Sequence, residues 1–207
     1  MELPVPADYL AYALKAEALV GTIRLEHRPV GDLLLLSGRL VAFDPAAYPQ
    51  TDAFSRALPS GSFPVLLSVA HIADDQRVAF ASIRFTEQPP TTWQVLEVSD
   101  NSDSLGFGVD SGVAGFIDFE ARMSMLSEEQ TDDSAFYSRM DAEMKKSAVN
   151  TWSWLNVSFG QGNLIAFSPG WGDGEYVTYV GLDAKGSVAV VVTDFQVVSE
   201  YEQAGQQ

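Results

Sequence analysis

Ser168-Pro-Gly-Trp-Gly-Asp-Gly-Glu-Tyr-Val-Thr-Tyr-Val-Gly-Leu-Asp-Ala-Lys-Gly-Ser187 sets how the rest of the chain reads. Five glycines, one tryptophan and two tyrosines surround Asp173 and Asp183. Glycines this dense let the backbone take positive φ and pass close to other groups. Val177 to Val180 reads as a strand, Asp183-Ala-Lys-Gly186 as a turn, and Val188 to Val192 as the returning strand. The stretch is therefore a hairpin fronted by a glycine-braced aromatic loop, and no catalytic signature accompanies it.

The same strand and turn signals recur on both sides. Gly31 to Pro45 places two apolar runs around Ser37-Gly38, and Asp44-Pro45 ends the second, because the residue before proline is steered out of helix. Tyr48 to Ser60 reads as a loop. Phe63 to Ile72 and Arg77 to Phe85 flank Asp74-Asp75-Gln76 as a second hairpin, with His71 a strand-end histidine. Trp93 to Val98 carries bulk on both faces, which suits a central strand. Gly106 to Glu120 reads as strand, glycine turn, then strand or helix start, and Ser127 to Asp133 as an acidic link.

Two segments are helix-favouring. Pro6 to Ala18 puts Leu10, Ala13, Leu14 and Ala18 on one face. Asp133 to Val149 repeats Phe136, Met140, Met144 and Ala148, a stripe read as core contact, with Asp132 or Asp133 at the cap. Thr151 to Asn156 and Asn163 to Phe167 are further strands about a Gly160-Gln-Gly162 turn. The expectation is one α+β, mainly β domain over 1–207. It has an antiparallel β-sandwich-like core of hairpin-linked strands over 31–198, with one or two packed helices. Residues 1–30 read as a helical extension and 199–207 as a polar tail.

Charge and missing residue types bound the function. Twelve basic residues against 28 acidic ones give −16 in 207 residues. Such a chain is repelled by nucleic acid and by anionic membranes, and suits a basic partner or a cation. There is no cysteine and there are two histidines, which removes disulfides, thiolate nucleophiles and thiolate or His-rich metal sites. The start, Met-Glu-Leu-Pro-Val-Pro, lacks the basic and apolar regions of a signal peptide, and no long apolar run exists, so a cytoplasmic protein is expected.

Carboxylates are the remaining chemistry. Asp110, Asp118, Glu120, Asp173, Asp183 and Asp194 lie beside glycines or at strand ends. A cluster of Asp110, Asp118 and Asp173 could hold a divalent cation or act in acid–base catalysis, and glycine-flanked aspartates equally serve turns. The spacing matches no EF-hand, serine elbow, dinucleotide loop or Walker loop. Between Glu97 and Glu143 twelve acids, Asp100 and Asp103 among them, face Arg122 and Arg139. Glu128, Glu129, Asp132, Asp133, Asp141 and Glu143 are the contact residues expected for a basic protein partner.

Several of these pieces recur in a known family. The pieces are Gly31-Asp-Leu to Ser37-Gly-Arg-Leu-Val-Ala-Phe-Asp-Pro45, Phe63-Pro-Val to Ser68-Val-Ala70, and Arg77-Val-Ala to Arg84-Phe85. Further along come Gly108-Val-Asp-Ser-Gly112 with Phe116-Ile-Asp118, Gly170-Trp-Gly-Asp-Gly174 with Tyr179, and Val192-Thr-Asp-Phe195. With them the chain resembles the bacterial domain of unknown function 4241 family. The resemblance transfers no activity and no cofactor. The family looks like one of the accessory domains near bacterial toxin and secretion loci, type VI secretion among them, which implies an immunity role. The first expectation is thus a cytoplasmic immunity protein that occludes a cognate basic toxin, plausibly a nuclease. The alternative is a metal-assisted hydrolase using Asp110, Asp118 and Asp173, and a structural module is a third option.

Overall fold

The computed structural model describes residues 7–99 and 105–198. Pro6, Asp100, Asp103 and the tail from Ser199 lie outside the described residues. Strand propensity dominates: among the described residues β-branched and aromatic runs form twelve strands, all antiparallel, in two sheets.

The larger sheet contains β1 (Glu17–Val20), β2 (Ile23–Leu35), β4 (Gly61–Ile72), β5 (Asp75–Arg84), β12 (Val188–Asp194), β11 (Gly174–Leu182) and β6 (Thr92–Val95), hydrogen-bonded in that order. A further strand, β7 (Gly106–Val109), also pairs with β11. The smaller sheet runs β3 (Leu40–Phe43), β8 (Ala114–Asp118), β10 (Gly162–Phe167) and β9 (Trp154–Phe159). The opening hairpin forms as read, with Tyr179 opposite Val192 and the turn closed by Asp183, whose Oδ1 accepts from the amides of Lys185 and Ser187.

Alternation sorts the side chains into layers. Between the sheets lie Leu33, Leu35, Leu40, Ala42, Leu67, Phe116, Ile165, Phe167, Val180, Val191 and Phe195. On the outer face of the larger sheet, α1 (Ala7–Leu10) and a 3-10 turn (Ala11–Leu14) cover Ile23, Leu25, Phe80 and Tyr179. On the outer face of the smaller sheet, α2 (Phe119–Thr131) and α3 (Asp133–Lys146) cover Val41, Phe43, Ile117, Leu155, Phe159 and Leu164. In the smaller sheet β3, β8 and β10 are buried on both faces, which is why they read as largely apolar runs, whereas β9 alternates between buried and exposed residues. A register shift between Pro29 and Gly31 lets β2 serve two layers. Ile23 and Leu25 face α1, whereas Leu33 and Leu35, of the same parity, face the smaller sheet.

Four expectations change. The helical extension is short: the helix ends at Leu14 and residues 17–35 form β1 and β2. Lys15 is extended, and the Nε2 of His27 and the guanidinium of Arg84 bond to the Ala13 and Leu14 carbonyls, which stops the helix. Ser37-Gly38 does not close a hairpin. It carries the chain from the larger sheet to the smaller, where β3 pairs with β8. Several other ladders are non-local too, β2 with β4 and β5 with β12 among them. The segment around Trp93 is an edge strand rather than a central one. Most of the acidic link belongs to α2, since its apolar residues Met125 and Leu126 find the smaller sheet to bury against.

Candidate functional site

The two helices are joined by one residue. Asp132 ends α2 and begins α3, its side chain accepting from the Ala135 amide at 3.0 Å. The residue opening α2 is Asp118, whose Oδ1 accepts from the Glu120 amide at 3.0 Å while Oδ2 accepts from the Ser37 amide and hydroxyl, each at 2.8 Å. These caps satisfy orphan N–H groups at both helix starts.

All six expected contact carboxylates sit on this helical pair, and five have a partner among the described residues. Glu128 pairs with Arg139 and Glu129 accepts from the Tyr137 hydroxyl, so both lock α2 to α3. Asp132 is the cap. Asp141 pairs with Lys145 and Glu143 with Lys146 along the surface of α3. Asp133 lies exposed in the first turn of α3. Exposed pairs of this kind contribute little to stability.

A groove of about 410 Å³ runs between α3 and the loops beneath it. The stripe Phe136, Met140 and Met144 forms one wall, with Val113 and Leu155 opposite, and Tyr137 and Asp141 at the rim. Phe136 and Met140 are thus core contacts and groove wall at once. The Pro45–Ala46 and Ser111 side of the groove hangs on a residue read from sequence only as a strand end. Asp44 is fully buried and accepts five hydrogen bonds. They come from the amides of Ala46, Ala47, Asp110 and Ser111 and from the Ser111 hydroxyl, at 2.7 to 2.9 Å. Burial by itself would raise its pKa, but these donors outweigh that and hold it below the ordinary carboxylate value. At the rim, burial, the Glu129 hydrogen bond and nearby carboxylates push the Tyr137 hydroxyl up to about 12, so it stays a donor.

The three carboxylates considered for a cation do not meet as a set. Asp110 and Asp173 flank the terminal Val109–Gly174 pair of β7 and β11. Asp118 is at the far end of β8 and is taken up by Ser37 and the α2 cap. Among the described residues no group of three or more His, Asp or Glu side chains is placed to hold a metal ion. Asp183 and Asp194 serve local turns, Asp194 through the Gln196 amide. His71 sits at a strand end against Glu26 and Arg24.

An acidic helical pair over an apolar groove, mounted on a two-sheet antiparallel α+β body, is the class of protein this fold and site define. The chain belongs to the family described as "Protein of unknown function (DUF4241)", whose model matches residues 33–193 and so takes in the smaller sheet, α2, α3, the groove and the larger sheet apart from β1 and most of β2. No curated protein and no solved structure matches the chain. Among the described residues no helix is long and apolar enough to cross a membrane.

Proposed function

We propose that this is a cytoplasmic binding protein that neutralises a cognate basic protein toxin, such as a nuclease, by seating a segment of it along α3. The observation that carries the reading is the groove. An apolar channel walled by Phe136, Met140 and Met144 lies on the helical pair, on a chain of net charge −16. Apolar burial supplies affinity there, while the surrounding carboxylates steer a positively charged partner into place. Seven carboxylates on 119–146 (Glu120, Glu128, Glu129, Asp132, Asp133, Asp141, Glu143) outnumber four cations (Arg122, Arg139, Lys145, Lys146). Methionine walls adapt to the shape of what enters.

The hydrolase reading lacks comparable support, since Asp118 already spends its lone pairs on three donors away from Asp110 and Asp173.

The test uses the purified product of the adjacent open reading frame as partner. Asp133, Asp141 and Glu143 changed together to Lys should slow association about tenfold and flatten its salt dependence. Ala46→Arg, which fills the groove from its exposed side, should instead speed dissociation. Unchanged kinetics in both variants would defeat the reading.

A further inference from the structure

The Gly170-Trp-Gly-Asp-Gly174 loop presents an exposed tryptophan in a held geometry. Trp171 is 46% exposed, although a large aromatic side chain gains most from burial. Its backbone is nevertheless fixed. The Gly170 amide donates to the Val78 carbonyl at 2.9 Å, the Gly172 amide to Pro169 at 2.8 Å, and the Tyr176 hydroxyl to Gly172 at 2.9 Å. Gly170, at φ +34°, packs so tightly that a Cβ there would lie 2.6 Å from the Phe195 carbonyl oxygen. An exposed indole on an ordered loop is preorganised for a partner.

Its surroundings define what it fits. The Arg77 guanidinium lies over the indole at 4.9 Å. That charge is already balanced, because Arg77 Nε donates to Asp75 at 2.7 Å and Asp75 is held in turn by Thr151 and the Gln76 amide. Asp110 and Asp173 stand beside the loop, and neither carboxylate has a hydrogen-bond or ion-pair partner among the described residues. The same protein also shows one ring accepting two guanidiniums: Phe119 carries Arg39 at 3.6 Å and Arg122 at 4.8 Å. A planar guanidinium stacks on an aromatic face and bonds carboxylates in its own plane, which an ammonium cannot do. The position is continuous with the groove: Gly172 lies against Gly112, which sits between the lining residues Ser111 and Val113.

We propose that Trp171, steadied by Arg77 and flanked by Asp110 and Asp173, anchors an arginine side chain of the basic partner at the end of the groove. This rests on the binding-protein reading above and adds a residue preference to it.

The experiment titrates the full chain with fluorescein-labelled octa-arginine and octa-lysine peptides, read by anisotropy at low ionic strength. Octa-arginine should bind at least about threefold more tightly than octa-lysine. Trp171→Ala should weaken octa-arginine about three- to tenfold and erase the preference, and Trp171→Phe should keep part of it. Circular dichroism should show both variants folded, since the side chain is half exposed. Changing Asp133, Asp141 and Glu143 to Lys should weaken both peptides alike and leave the preference in place. An arginine preference that survives Trp171→Ala overturns the anchor while leaving the binding-protein reading intact. Peptide affinities unmoved by the triple reversal overturn the electrostatic basis of both.

Discussion

Ser111 gives both its backbone amide and its hydroxyl to Asp44, at 2.8 and 2.7 Å, across 67 residues of chain. This contact fastens the loop after β3 to the turn between β7 and β8 and so shapes one side of the groove. Asp44→Ala would leave five donors without their acceptor in a fully buried position. The expected loss is about 3 kcal/mol or more in a urea melt, against about 1 kcal/mol for Ser111→Ala.

The same carboxylate sets an acid limit. Its folded pKa lies below the ordinary 3.8. The unfolded chain therefore takes up a proton first as pH falls. Asp44 contributes its stability in full above pH about 4, and that contribution disappears as pH drops through the folded value. Urea midpoints followed from pH 6 downward should fall less steeply in Asp44→Asn than in the parent protein.

His27 governs the attachment of the 3-10 turn that follows α1. Burial, together with the Arg84 charge, lowers its pKa below the ordinary 6.5, against the opposing effect of its Ala13 hydrogen bond. The folded state thus prefers the neutral ring, whose Nε2–H donates to the Ala13 carbonyl at 3.0 Å. The sign follows: the attachment is at full strength above pH about 6.5 and weakens as pH falls below it toward the folded pKa. Amide exchange at Leu10 to Leu14 should accelerate on going from pH 7.5 to 5.5, after correction for intrinsic rates. His27→Gln should show no such added acceleration.

Two glycines with positive φ should respond differently to alanine. Gly186 has φ +80° with open space where a Cβ would go, so Gly186→Ala should cost about 1 kcal/mol of backbone strain. Gly170→Ala adds a collision with the Phe195 carbonyl and should cost several times more. Equal melting temperatures for the two variants would contradict the packing described around the Trp171 loop.

Calorimetric titration with Mg²⁺, Mn²⁺ and Ca²⁺ should find no micromolar site, because Asp118 is held apart from Asp110 and Asp173 by its own hydrogen bonds. A micromolar binding heat that vanishes in Asp173→Ala would reinstate the hydrolase.

Local signals made most elements readable. Asp183 and Gly186 announce the β11–β12 turn, Asp132 announces the cap of α3, and the Phe136–Met140–Met144 spacing announces its buried face. The mainly β character and the acidity of the Glu97–Glu143 stretch followed from the same information. Partnering did not. Ser37-Gly38 looks like a hairpin turn, yet β2 and β3 enter different sheets, and this depends on which ladder each apolar run completes. Asp44 reads as a strand end because its donors arrive from Asp110 and Ser111, far along the chain. Asp118 reads as a possible ligand until Ser37 is brought against it. Turns, caps and periodicity come from interactions within a few residues, so the amino-acid order determined them. The groove beneath α3, the separation of the three aspartates and the exposure of Trp171 arise where distant segments pack, and the tertiary structure decided those.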